Sequence, residues 1–81
     1  MDMKRAKELS ERYAKIVNDR KLRATIRHIN IRIKERCKQG FNSYSYMAYE
    51  IRSEVIAKIV KHYNNKEFEV ELIGNRIFIK W

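Results

Sequence analysis

Five cations recur along one segment of this 81-residue chain: Arg20, Arg23, Arg27, Lys34 and Lys38. At about 100° per residue they fall close to a single line on a helix. A row of this kind suits phosphate, because a guanidinium offers a planar fork of donors that can grip two oxygens at once. An apolar stripe, Leu22, Ile26, Ile29, Ile33 and Cys37, runs through the same segment. The cationic row is expected about a quarter turn from that stripe, beside the buried face. Arg32 and Arg36 should lie on the stripe's other side. Three tyrosines follow, Tyr44, Tyr46 and Tyr49, and outward-facing tyrosines could stack on bases. Tyr44 and Tyr46 alternate with serines, as sheet residues do, which favours packing over stacking.

The charge balance of the chain singles out the same segment. The formal net charge is +9. Residues 1–40 carry 13 Lys/Arg against 5 Asp/Glu, and residues 41–81 carry 6 against 5. An excess confined to one half points to a face that meets an anion, either a nucleic acid, a nucleotide or an acidic protein. The competing explanation is a solvated helix surface rich in lysine and arginine.

Other chemistry finds little support. Cys37, His28 and His62 stand apart, with no Cys-x-x-Cys or His-x-x-x-His spacing, so no metal site and no cofactor are expected. Cys37 continues the apolar stripe and reads as a small buried hydrophobe. His28 falls on the polar side of its helix, and His62 sits near a helix C-terminus, where the dipole favours it. Neither has an orienting partner that would make it a general base, so no catalytic residue and no enzymatic activity are expected. Gly40 and Gly74 are too far apart to form a phosphate loop.

The elements that would position these residues follow from periodicity. Ala6, Leu9, Tyr13 and Ile16 form one helical face, with Asp2 placed to cap it. The Leu22–Cys37 stripe is out of phase with that face, and Asn18-Asp19 lies between. Two N-terminal helices are expected, or one long helix bent at that point. Gly40 suits the C-terminal end. The segment Phe41–Met47 reads as a short strand. A further helix is expected from Tyr49 or Ser53 to Tyr63, capped by Ser53 and ended by Asn64-Asn65. Phe68, Val70 and Leu72, then Ile77, Ile79 and Trp81, alternate about Gly74-Asn75 as a two-residue hairpin. That turn pairs Leu72 with Ile77, Val70 with Ile79 and Phe68 with Trp81 on one face. It pairs Glu69 with Lys80 on the other, so both faces agree on one register. The fold class is α+β: a basic helical segment over residues 1–39, then a β-α-β-β unit over 40–81 with a small three-stranded sheet packed on a helix. The chain is one domain, and so short that association with copies of itself would add useful burial.

From Ile29 onward the chain resembles small phage-encoded α+β proteins of uncharacterised function. The resemblance is carried by Ile29, Ile33, Gly40, Ser43, Tyr44, Ser53, Glu54, Val55, Ile56, Tyr63, Phe68, Val70, Ile77, Ile79 and Trp81. It implies a viral source, and host cytoplasm or the virion as the place of action. No run of about 18 apolar residues offers a membrane span, and the first residues lack the apolar core of a signal peptide. Three functions compete at this level. One is binding of a nucleic acid or a nucleotide signal, including sequestration of a host-defence nucleotide. The second is a packaged virion component. The third is an inhibitor that docks on a host protein.

Overall fold

The structure is a computed structural model that describes all 81 residues. Its order is α1 (Met3–Lys38), β1 (Ser43–Met47), α2 (Ser53–Asn65), β2 (Glu69–Ile73) and β3 (Arg76–Lys80). The N-terminal segment is neither two helices nor a broken one. It is a single 36-residue helix. No proline or glycine interrupts residues 3–38, and asparagine and aspartate inside a helix cost only some tenths of a kcal/mol each. Asn18 also finds a partner outside its own helix, since its Nδ2 donates to Glu54 Oε2 of α2 at 3.3 Å. The phase shift between the two apolar stripes has a different meaning from a break. The stripes lie on opposite sides of one continuous rod.

Local chemistry sets the ends of α1. The Asp2 carboxylate accepts from the Arg5 backbone N–H at 2.8 Å, as an N-cap should. At the other end, Phe41 N–H donates to Arg36 O and Gly40 N–H to Cys37 O, both at 3.0 Å. Gly40 sits at φ +82°, the left-handed position this closure requires. α2 ends with the same pattern of bonds, Phe68 N–H to Tyr63 O and Glu67 N–H to Asn64 O. There the left-handed residue is Glu67, at φ +70°, so Asn64 and Asn65 belong to the helix and do not end it. Phe68 then packs edge-on against Tyr63, with ring centroids 5.5 Å apart, which is the apolar contact that accompanies such an ending. The start of α2 also departs from expectation. Arg52 is the capping residue, its carbonyl accepting from Val55 and Ile56, and Ser53 is the first helical residue.

The three strands are antiparallel in the order β1-β3-β2, so the last strand in sequence is the middle of the sheet. The hairpin register is the expected one, with Leu72 opposite Ile77, Val70 opposite Ile79 and Glu69 opposite Lys80. On its other edge β3 sets Ile79 opposite Tyr44 and Ile77 opposite Tyr46. Ile77 and Ile79 therefore point to the covered face, where α1 lies against β1 and α2 against β2. The core between sheet and helices contains Ile29 and Ile33 of α1, Val55, Ile56, Ile59 and Tyr63 of α2, Ala48, Ile77 and Ile79. Fully burying an isoleucine or valine stabilises by about 1.5–3 kcal/mol, so this set supplies most of the cohesion. The opposite face of the sheet, with Glu69, Glu71, Ile73, Arg76, Phe78 and Lys80, is open to solvent.

A helix of 36 residues is about 54 Å long, and the longest dimension of the molecule is 56 Å. The helix thus spans the molecule from end to end, while the sheet and α2 cover only part of it. None of the first 24 residues is buried, and the core side chains of α1 begin at Thr25. The N-terminal half of α1 projects as an arm, flanked on one side only, over Glu11 to Asp19, by the start of α2.

Candidate functional site

The continuity of α1 decides where the cationic row points. Thr25, Ile29 and Ile33 are the buried side chains of the helix. At 100° per residue, Arg20, Arg23, Arg27, Lys34 and Lys38 average about 155° away from them. The row lies nearly opposite the core, not a quarter turn from it. Ile26 and Cys37 tilt the apolar stripe toward the row, but Ile26 is only half-buried and Cys37 is exposed, so neither sets the buried direction. Cys37 stands past the end of the core and off its edge, so it is not a buried hydrophobe.

All five side chains of the row are exposed, and none is in an ion pair. The row runs about 27 Å along the helix at 1.5 Å per residue. Arg23, Arg27 and Lys34, with Ile26, Asn30 and Ile31, line a shallow hollow open to solvent. No acidic residue of α1 falls within about 60° of the row's mean direction. Arg5 and Arg12 continue the same line into the arm. Sequence reasoning missed these two because it placed a break at Asn18-Asp19. Carrying the 100° step straight through those residues would have found them.

Arg32 and Arg36 do not join the row. Arg32 Nη1 pairs with Glu35 Oε2 at 3.1 Å. Arg36 Nε donates to the Ser43 carbonyl at 3.1 Å, and its guanidinium lies 4.0 Å from the centre of the Phe41 ring. That cation ties the end of α1 to the start of β1 and is occupied by the fold. Arg32, Arg36, His28, Tyr44 and Ser45 do border one polar hollow on the α1–β1 side. Glu35 and Gln39 share it, so its charge is mixed.

The tyrosines separate by strand face. Tyr44 and Tyr46 turn toward the covered side and pack against the core, which is the sheet role their alternation implies. Burial pushes the Tyr44 hydroxyl above its ordinary range, against the lowering effect of Arg32. Tyr46 meets His28 edge-on at 5.8 Å. Neither ring offers a free stacking face on the cationic row. Tyr49 is 66% exposed and stands in the β1–α2 connection. No tyrosine lines the hollow at Arg23, Arg27 and Lys34.

Nothing in the molecule gathers three or more His, Cys, Asp or Glu side chains at metal-binding distance. His62 lies against the neighbouring Tyr63 ring at 4.9 Å, and no carboxylate orients it. No helix is long and apolar enough to cross a membrane.

Fold and site together define a small α+β protein with a long helix whose exposed edge is cationic. Comparison with protein-family models, with curated proteins and with solved structures found no match.

Proposed function

We propose that this protein binds an extended polyanion, a nucleic acid backbone, along the outer edge of α1 through Arg20, Arg23, Arg27, Lys34 and Lys38. The observation that carries the reading is this row of exposed cations, none of which is held in an ion pair. Its layout favours a polymer over a small nucleotide. The charges are spread over about 27 Å, whereas a mononucleotide needs convergent groups in a pocket, and the hollow at Arg23 and Arg27 is shallow. Contacts of this kind position a backbone without reading its sequence. A packaged protein lying on a genome would use the same face.

Salt dependence tests the proposal. Five phosphate contacts on a duplex imply a slope of log K against log salt of about −4.5, from 0.9 per contact. Replacing Arg23, Arg27 and Lys34 with glutamine should weaken the slope by about 2.7. It should leave the fold intact, because all three side chains are exposed. Binding that is absent, or a slope that the triple variant leaves unchanged, would refute the reading. Selective thermal stabilisation by one cyclic nucleotide, with no response to DNA or RNA, would favour nucleotide sequestration in its place.

A further inference from the structure

The edge of α1 that is cationic beyond residue 19 is largely apolar before it, with Arg5 and Arg12 along one border. Ala6, Leu9, Tyr13, Ile16 and Val17 share one face of the arm, about 180° around the helix from Thr25, Ile29 and Ile33. Tyr13 is 61% exposed, Ile16 43% and Val17 58%. α2 and the sheet lie on the opposite side, so nothing in the chain can fold back over this seam. Leu9 and Ile16, like Ala6 and Tyr13, are seven residues apart, the repeat of a two-helix seam.

We infer that the seam is covered by the same seam of a second copy of this chain, packed antiparallel about a two-fold axis near Glu11 and Arg12. Charge selects both the occupant and the direction. Residues 2–19 carry five Lys/Arg against four Asp/Glu, and residues 20–38 carry eight against one. The arms can therefore lie side by side, while the cationic halves repel. A parallel pair would stack those halves against each other over their whole length. An antiparallel pair overlaps only the arms and sends the cationic halves to opposite ends.

In that register Leu9 meets Tyr13 of the second copy, Ala6 meets Ile16 and Met3 meets Val17. Arg5 meets Asp19, so two ion pairs flank the seam. Arg12 faces its own copy at the axis, a like-charge contact that a long side chain relieves by reaching outward into water. Such an interface is isologous and closed, and it leaves Arg20 to Lys38 uncovered in both copies.

Sedimentation equilibrium on the full chain without nucleic acid tests the inference independently of the polyanion reading. The expected mass is twice the 9.9 kDa of one chain. Leu9→Glu with Ile16→Glu should halve it while circular dichroism still reports a folded head, since neither side chain belongs to the core. In a Cys37→Ser background, Ala6→Cys with Ile16→Cys should give an oxidised cross-linked dimer, and Ile16→Cys alone should not. A monomeric parent, a dimer indifferent to the glutamates, or cross-linking by Ile16→Cys alone would each overturn the inference.

Discussion

Tyr63 offers a measurable test of how the helices are held together. Its side chain is 1% exposed. Its hydroxyl donates to Asn30 Oδ1 at 2.8 Å, and the Ile26 carbonyl lies at 3.3 Å, so the contact joins α2 to α1. Burial, with a smaller contribution from the Tyr44 hydroxyl, pushes its pKa up to about 12 from the ordinary 10.0. The folded state thus prefers the neutral phenol more strongly than the unfolded chain does. The stability this represents is fully present below pH 10, falls as pH rises from 10 to about 12, and is then gone. Two pKa units correspond to about 2.7 kcal/mol, a large share of the roughly 4–12 kcal/mol expected for a domain of this size.

A pH series on the parent alone would not isolate this hydroxyl, so the comparison needs Tyr63→Phe. Near neutral pH that variant should be less stable by about 1 kcal/mol, the usual net value of a hydrogen bond. Between pH 9 and 12 the parent should lose about 2–3 kcal/mol more than the variant. The two stability curves must therefore cross. Urea unfolding followed by far-ultraviolet circular dichroism at a series of pH values measures both. A difference between parent and variant that stays constant across the window would refute the claim that the fold protects this hydroxyl from ionisation.

Two further outcomes follow from the fold. Glu67→Gly should stabilise by about 1 kcal/mol, because a side chain in the left-handed region costs about 1–2 kcal/mol and glycine removes that cost at the price of some entropy. Thermal unfolding would show it as a rise of about 4–8 °C, and no rise would mean that the ending of α2 is unstrained. Ile29→Ala should cost about 2–5 kcal/mol, since Ile29 is fully buried where α1 meets the rest of the core. Ile31→Ala, two residues on and exposed, should change stability by less than about 0.5 kcal/mol. Equal effects from the two would show that α1 is docked by a different face.

The hairpin was legible in the sequence because two independent patterns constrained it. The apolar residues and the Glu69–Lys80 pair allow only one register about Gly74-Asn75, and a slip by one residue would violate both. The end of α1 at Gly40 was equally plain. The course of α1 was not, because periodicity records the face of a helix and not what covers it. Ala6, Leu9, Tyr13 and Ile16 look like a core face, yet the chain supplies nothing to lie against them. Cys37 followed the stripe arithmetically but lies beyond the core, and the sequence does not say where a core stops. Arg36 looked like its neighbours. Its use depends on the Ser43 carbonyl and Phe41 returning beside the helix, a tertiary fact. Within the candidate site, the direction of the row was not legible, because it depends on which side of α1 the core covers.

The position of β3 between β1 and β2 has a consequence for synthesis. A ribosome delivers α1, β1, α2 and β2 before residues 76–80 exist, and both ladders of the sheet run through those five residues. Until they emerge, the two outer strands have no partner, and the apolar side of α1 has neither Ile77 nor Ile79 to meet. Helical turns can form as the chain appears, since their hydrogen bonds are local, but the sheet cannot be built piecemeal. The sheet therefore closes in one cooperative event, and only once β3 has been made.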